Sequence, residues 1–253
     1  MTTPAPRCLR IGMLAPSSNT VLEPETAALA APLAGRVSVH FGRFRVLRIG
    51  LDDDSESQFA LEPILAAADL LADAKPDVIA WNGTAASWRG FDTDDALCAA
   101  ITQRTGLPVT TAIAGFNAAF AALGVRRLGI VTPYTPDVQA AIARNYAGHG
   151  IEVVSEAHAN LTDNFSFSEI TPEEIAEMCR RVAAKGNPDA LAVVCTNMRG
   201  AGIAAAIEQD LGVPVIDSVA ATLWIALHRL GVSTEALSPS GRLFGLSPAR
   251  KAA

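Results

Sequence analysis

Charged residues are scarce in this sequence, and long hydrophobic runs are missing. Only 18% of the 253 residues are charged, and the formal net charge is −6 at pH 7. No stripe of basic residues is present, which argues against a nucleic-acid-binding surface. No window holds about eighteen consecutive apolar residues, and the N-terminal stretch "MTTPAPRCLR" lacks the apolar region of a signal peptide. We therefore expect a cytoplasmic protein that has neither a membrane nor a nucleic acid as its partner.

Cysteines are few, and none has the spacing of a metal site. The four cysteines, Cys8, Cys98, Cys179 and Cys195, form no CxxC pair. The sequence also contains no Walker loop, no GxGxxG after a strand and no HExxH. Isolated cysteines in a reducing compartment remain free thiols. The sequence thus contains none of these metal-binding or nucleotide-binding motifs.

Apolar runs of strand length alternate with stretches of helical period along the whole chain. Continuous hydrophobicity is typical of strands covered on both faces. The strand candidates with this property are 10–16, 77–83, 107–112, 127–133, 151–156, 189–195 and 213–218. The helix candidates between them are 59–74, 91–104, 113–124, 136–148, 172–185, 200–211 and 219–230. This alternation predicts parallel βαβ units.

Two copies of one pattern follow each other in the chain. "IGMLAPSSN" at 11 corresponds to "LGIVTPYTP" at 128, "DVIAWNGTAAS" at 77 to "DALAVVCTNMR" at 189, and "GLPVTTAIAG" at 106 to "GVPVIDSVAA" at 212. Three matches in the same order predict an α/β fold of two pseudo-symmetric Rossmann-like halves, each with a parallel sheet and with the active site in the cleft between them. We place the halves at 1–117 and 118–227, with 228–253 packing back on the first.

Four loops follow ends of the predicted strands, where ligands bind in parallel sheets. They carry hydroxyl, amide or small residues and are "APSSNT" (15–20), "NGTAAS" (82–87), "TPYTPD" (132–137) and "CTNMRG" (195–200). Because backbone N–H groups at helix N-termini bind carboxylates, the loops predict a site for a small acid. Gly83 and Cys195 hold equivalent positions in the repeat, so we expect them to face each other across the substrate.

A single thiol at this place restricts the chemistry. Two facing cysteines could move protons on both faces of a carbon acid, whereas Cys195 alone serves one face. Decarboxylation followed by protonation, or covalent addition to a double bond, then remains. Cys195 is also predicted at a strand end before a helix, and a helix N-terminus would stabilise its thiolate. Gly83→Cys would restore the second thiol, and a gain of isomerase or racemase activity would support the facing geometry of positions 83 and 195.

Three polar side chains each have two interpretations. Tyr134 could donate its phenol to a carboxylate, or could cap the helix that follows. Thr84 and Asn19 could donate to an anion, or could act as N-caps. The residue types alone leave both interpretations open.

The motifs quoted above resemble the aspartate/glutamate racemase superfamily, in particular the branch of arylmalonate decarboxylase and maleate cis–trans isomerase. The resemblance covers nearly the whole chain and rests on "APSSNT", "NGTAASWRG", "TGLPVTT", "ALGVRRLGIVTPY", "CTN" and "LGVPVIDS". It implies an enzyme without cofactor or metal whose site lies between the two halves. It also implies a small dicarboxylate substrate and a monomeric or homodimeric state.

The decarboxylase, like this chain, has a glycine in the first half and a cysteine only in the second. The resemblance therefore implies that Cys195 is the proton donor and that Thr84 and Tyr134, with backbone N–H groups, hold the retained carboxylate. The chain departs from the decarboxylase at Ala85, which replaces a hydroxyl residue, and at Ser17, which replaces a proline. The carboxylate-binding set expected from the four loops is Pro16, Ser17, Asn19, Gly83, Thr84, Ala85, Tyr134, Thr196 and Asn197.

The isomerase resembles this chain in "PSSN" and "CTN", which matches Asn19 and Asn197 to its substrate-contacting asparagines. It uses two cysteines, however, and Gly83 stands where one of them acts as the nucleophile. We therefore expect a cofactor-independent decarboxylase of a substituted malonate-like diacid, a lyase of the arylmalonate decarboxylase kind. The alternatives are a maleate cis–trans isomerase that adds Cys195 to the double bond, and a small-diacid-binding protein that has lost catalysis.

Overall fold

The computed structural model describes residues 7–248 and contains two four-stranded parallel sheets. The strands are β1 (Leu9–Pro16), β2 (Val37–Phe44), β3 (Val78–Trp81), β4 (Val109–Thr111), β5 (Arg127–Thr132), β6 (Glu152–His158), β7 (Ala190–Val193) and β8 (Val215–Asp217). Their order is β2-β1-β3-β4 in the first sheet and β6-β5-β7-β8 in the second. The two sheets share one topology, and the predicted α/β fold of two halves is confirmed.

Helices flank both sheets. In the described part of the chain they are α1 (Leu22–Ala30), α2 (Asp53–Ser57), α3 (Leu61–Ala72), α4 (Ala86–Arg89), α5 (Phe91–Thr105), α6 (Ala112–Leu123), α7 (Pro136–Gly148), α8 (Pro172–Gly186), α9 (Ala204–Leu211) and α10 (Ser218–Arg229). Short 3-10 turns lie at Ala31–Leu33, Ser166–Glu169, Ala201–Ile203, Glu235–Ser240 and Arg242–Gly245. Between residues 7 and 248, no helix combines the length and the hydropathy that crossing a bilayer requires.

The criterion of continuous hydrophobicity misses one strand, β2. Its sequence "VSVHFGRF" alternates apolar and polar residues, and most of its side chains are only partly buried. The strand forms an edge of the first sheet and pairs in parallel with β1 from Leu9↔Val37 to Pro16↔Phe44. An edge strand that is less covered than its neighbours does not need an unbroken apolar run.

The two halves pack together through α6 and α10, which follow the last strand of each sheet. Thr111 caps α6 by accepting the Ala114 N–H at 2.9 Å, and the carboxyl of Asp217 caps α10 in the equivalent place. Gly115 permits close packing of these helices, because a Cβ there would lie 2.4 Å from the carbonyl oxygen of Ala221. The pairing of α6 with α10 thereby fixes how the ends of the two sheets face each other.

The chain beyond α10 contacts elements of both halves, including α1 and α9. The backbone N–H of Arg242 donates to Glu208 of α9 at 2.8 Å, and Trp224 of α10 donates to the carbonyl of Leu246 at 3.3 Å. The domain boundary at residue 117 and the packing of 228–253 on the first half stay predictions. Residues 249–253 of that segment lie outside the described residues.

Candidate active site

The loops after β1, β3, β5 and β7 meet around a small cavity at the carboxyl ends of the two sheets. Its lining combines apolar, hydroxyl and thiol groups from both halves: Pro16, Val46, Ile49, Phe59, Trp81, Gly83, Thr84, Ala85, Trp88, Tyr134, Asn164, Cys195 and Thr196. Among residues 7–248, no charged side chain lines it. Its water-accessible volume is about 20 Å³, on the order of one water molecule. A dicarboxylate therefore needs some of these side chains to move.

Most of the residues that the sequence suggests for the site are in this lining. They come from all four loops and are Pro16, Gly83, Thr84, Ala85, Tyr134, Cys195 and Thr196. Ser17, Asn19 and Asn197 lie outside it, and the Ser17 hydroxyl accepts the backbone N–H of Val46 at 3.2 Å. Carboxylate binding by these three residues stays a prediction.

The two asparagines join the halves of the molecule. Asn19 Nδ2 donates to Thr196 Oγ1 at 3.1 Å, while its Oδ1 accepts the N–H of Leu22 at 2.9 Å at the start of α1. Asn197 Oδ1 accepts the backbone N–H of Thr20 at 3.0 Å. Both side chains are almost fully buried. Their hydrogen bonds hold the first and fourth loops together behind the cavity wall.

Thr84 and Tyr134 form a hydrogen bond between the halves. Thr84 Oγ1 and Tyr134 Oη are 2.7 Å apart. The Tyr134 ring packs edge-on against Trp88 at 5.2 Å and Phe167 at 5.6 Å between centroids. Burial, with the neighbouring Cys195, raises the pKa of the Tyr134 phenol well above its ordinary value. The phenol therefore stays protonated and can donate to a carboxylate.

Cys195 is a buried thiol with one hydrogen bond at its sulfur and one at its backbone N–H. Its Sγ accepts the N–H of Asn197 at 3.4 Å, and its own N–H donates to the Ser218 hydroxyl at 2.9 Å. Burial raises the pKa of the Cys195 thiol to about 12, although the Asn197 N–H and the Tyr134 hydroxyl oppose that rise. At neutral pH the sulfur therefore carries its proton and can act as an acid.

The helix expected over 200–211 begins later than the sequence suggests. A 3-10 turn covers Ala201–Ile203, and α9 starts only at Ala204. Cys195 is therefore not at a helix N-terminus, and the prediction that a helix stabilises its thiolate is wrong. Burial outweighs the local hydrogen bonds and favours the neutral thiol.

Several residues of the lining have a backbone N–H without a hydrogen-bond acceptor in the described chain, and Ala85 and Thr196 are two of them. Within residues 7–248, no protein acceptor takes a hydrogen bond from the N–H of Ala85 or Thr196. Both residues line the cavity, one in the loop from the first half and one in the loop from the second. With the hydroxyls of Thr84 and Tyr134, they give the cavity several neutral donors.

The apolar part of the wall was not found from the sequence. It consists of Val46, Ile49, Phe59, Trp81 and Trp88. The tryptophans flank the loop "NGTAAS" closely enough to suggest a role. Val46 and Ile49 offer no such signal, because they belong to an irregular segment after β2.

Sequence and structural comparisons identify the family and the fold of the chain. The sequence profile of the family described as arylmalonate decarboxylase matches residues 11–244. The chain belongs to this family. It is 25% identical over 250 residues to the maleate isomerase of Alcaligenes faecalis, covering 94% of this chain and 98% of that protein. It is 29% identical over 169 residues to the arylmalonate decarboxylase of Bordetella bronchiseptica, covering 66% and 70% respectively.

The fold of this arylmalonate decarboxylase family member also matches solved structures. A crystal structure of a variant of the maleate isomerase Iso from Pseudomonas putida with maleate superposes with a TM-score of 0.84. The superposition covers 96% of this chain and 99% of that one, at 22% sequence identity. Identities of this size show the shared fold and do not separate decarboxylase from isomerase.

This family member also contains a buried acid next to the thiol loop. Asp217 Oδ1 accepts the N–H groups of Val219 and Ala220 at 2.7 and 3.2 Å. Its Oδ2 is buried and has no hydrogen-bond partner within the described chain. Burial raises the pKa of the Asp217 carboxyl to about 8, despite those N–H donors. The folded protein thus holds this acid neutral at pH 7.

Asp217→Asn is expected to flatten the dependence of folding stability on pH. The folded pKa of about 8 exceeds the ordinary value of 3.8, so unfolding releases a proton between these values. The wild type therefore loses stability as pH rises through this window, on the order of a few kcal/mol between pH 5 and 8. The amide does not titrate. Urea unfolding at several pH values measures the difference, and equal declines in both proteins would contradict the buried neutral acid.

Proposed function

We propose that this protein decarboxylates a substituted malonate-like diacid and protonates the product from one side with Cys195. The observation that carries the proposal is a single thiol in a cavity that also contains hydrogen-bond donors. Some of these donors have no acceptor within residues 7–248, and two hydroxyls bond to each other. The remaining cysteines, Cys8, Cys98 and Cys179, do not line that cavity. Membership of the family supports an enzyme and leaves the reaction to be argued from the site.

One carboxylate of the substrate is held by neutral donors. The hydroxyls of Thr84 and Tyr134 exchange their mutual 2.7 Å hydrogen bond for bonds to the substrate. The backbone N–H groups of Ala85 and Thr196 complete the set. Charge-assisted hydrogen bonds of this type are stronger than neutral ones, which offsets the loss of hydration of the carboxylate.

The second carboxylate lies against the apolar wall that Val46, Ile49, Phe59 and Trp88 provide. Poor solvation there favours the loss of charge as carbon dioxide. The electron pair of the broken carbon–carbon bond moves into the retained carboxylate, which becomes an enediolate. The donors that held the carboxylate now stabilise greater charge, as in an oxyanion hole, where each donor contributes roughly 3–4 kcal/mol.

Cys195 then transfers its proton to the α-carbon. The new carbon–hydrogen bond forms with the electron pair of the enediolate, and the thiolate left behind takes up a proton from solvent before the next turnover. The raised pKa of the Cys195 thiol ensures that the acid is loaded at neutral pH. Delivery from one sulfur gives one enantiomer.

A panel of diacids tests the proposed reaction. We expect aryl- or alkylmalonates to release carbon dioxide, which is detected by an isotope label on the substrate carboxylate. Maleate should remain unchanged by NMR. Cys98→Ser, outside the cavity, serves as the control for a lost thiol. Tight binding of the diacids without release of carbon dioxide from any of them would overturn the reaction and favour a binding protein.

Maleate cis–trans isomerisation is the second candidate. It is supported by the match to maleate isomerases over nearly their whole length and by the relative whose structure was solved with maleate. The reaction would require the Cys195 thiolate to add to the double bond, which the raised thiol pKa disfavours. Conversion of maleate to fumarate in the same NMR assay would establish it in place of decarboxylation.

A further inference from the structure

The indole of Trp81 occupies the space beside Gly83. These residues are two positions apart at the end of β3, so side chains at both would extend from the same face. A Cβ on Gly83 would lie 1.8 Å from Cζ2 and 2.1 Å from Cε2 of Trp81. The φ angle of Gly83 is outside the left-handed region. Glycine is therefore required here by the indole and not by the backbone.

Because of this contact, Gly83→Cys restores a second thiol only if the indole of Trp81 moves. In the repeat, Val193 lies two positions before Cys195, as Trp81 lies two positions before Gly83. The smaller Val193 is paired with Cys195, which has a side chain. The larger Trp81 is paired with Gly83, which has none. Within the repeat, the half that lacks the thiol is therefore the half with the larger side chain two positions earlier.

Trp81 also lies between two spaces. It lines the cavity that contains Cys195, and it lines an outer pocket of about 270 Å³. Phe59 and Ala85 line both spaces, whereas Arg89 lines only the outer one. Because the inner cavity holds about one water, a substrate must displace part of its wall. An indole displaced from the inner cavity would have the outer pocket beside it.

Given the proposed function, we infer that Trp81 determines which substrates fit this site. Its indole fills space that a substituent on the α-carbon of the diacid would need. The size of that substituent is therefore limited by how far the ring is displaced. The same ring excludes an acidic side chain at position 83, so protonation remains restricted to Cys195.

A stability measurement tests the position of the ring without any assay of activity. Gly83→Ala is expected to lower the thermal midpoint on the order of 5 °C in the wild type, and to have little effect when Trp81→Ala is also present. Trp81→Met serves as the background if the alanine variant does not fold. Trp224→Phe, a buried tryptophan outside the cavity, is the matched control and should give no relief. An equal loss in the Trp81 and wild-type backgrounds would overturn the inference.

Ligand binding tests the role in specificity. Calorimetry with methylmalonate and phenylmalonate should show that Trp81→Ala or Trp81→Met shifts the ratio of dissociation constants about 10-fold toward the phenyl compound, whereas Trp224→Phe leaves it unchanged. An unchanged ratio in the Trp81 variants would overturn the inference even if the wild type releases carbon dioxide. A shifted ratio without carbon dioxide release would overturn the proposed reaction and leave the inference standing. Failure to bind either compound would overturn both.

Discussion

Cys195→Ser is expected to lower kcat for carbon dioxide release and product formation at least ~100-fold, with a much smaller change in KM. A serine hydroxyl is a far weaker acid than a thiol, and loss of a positioned general acid typically costs 10²–10⁴-fold. The substitution preserves the size of the side chain, so the diacid should still bind to the donors around Thr84 and Tyr134. Steady-state kinetics on the best malonate of the panel provide the measurement.

The control for this substitution is Cys98→Ser. Cys98 lies on α5, does not line the cavity, and has a pKa raised by burial to about 12, as Cys195 does. The control should keep the wild-type kcat. If Cys195→Ser retained the full rate, the proton would have to come from another group or from water, and the assigned role would be wrong.

The second large effect is expected at Tyr134. Tyr134→Phe removes one donor to the enediolate and should lower kcat/KM by roughly 100-fold, the usual size for one such donor. Thr84→Val should lower kcat/KM similarly, whereas Thr84→Ser, which keeps the hydroxyl, should retain most of the wild-type kcat/KM. Because the two hydroxyls are 2.7 Å apart, the double variant should lose less than the sum of the two single losses.

The measurement for Tyr134 must separate catalysis from folding. Removing the Tyr134 hydroxyl also leaves the buried Thr84 hydroxyl without its partner, which costs about 1–3 kcal/mol of stability. Thermal unfolding should therefore accompany the kinetics. A Tyr134→Phe protein that is less stable but turns over normally would assign the pair to structure alone.

The repeat in the sequence located the polar half of the site well. Parallel strands bring their carboxyl ends to one edge of a sheet, so the loops that contain Gly83, Thr84, Tyr134 and Cys195 could be brought together from their order alone. The structure places all four on one cavity. Their chemical roles stay predictions until variants are measured.

The apolar half could not be predicted in the same way. An aromatic residue at a strand end, such as Trp81, has the same sequence pattern whether it lies in the core or against a ligand. Val46 and Ile49 reach the cavity from a segment without regular structure, which carries no periodicity to interpret. Their positions depend on contacts between distant parts of the chain.

The protonation of Cys195 likewise depends on the tertiary structure. The sequence placed the residue before a helix, which would favour a thiolate. In the structure, a 3-10 turn follows at Ala201–Ile203 and α9 begins only at Ala204. Cys195 is also buried, which favours the protonated thiol. Local sequence identifies the group, whereas burial decides its acidity.

The most direct measurement of one-sided protonation uses a prochiral aryl-alkylmalonate in D₂O. We expect carbon dioxide, a monoacid that carries one deuterium on the α-carbon, and a single enantiomer by chiral chromatography. A racemic monoacid formed at full rate by the wild type, or an optically pure one formed at full rate by Cys195→Ser, would contradict one-sided protonation by Cys195.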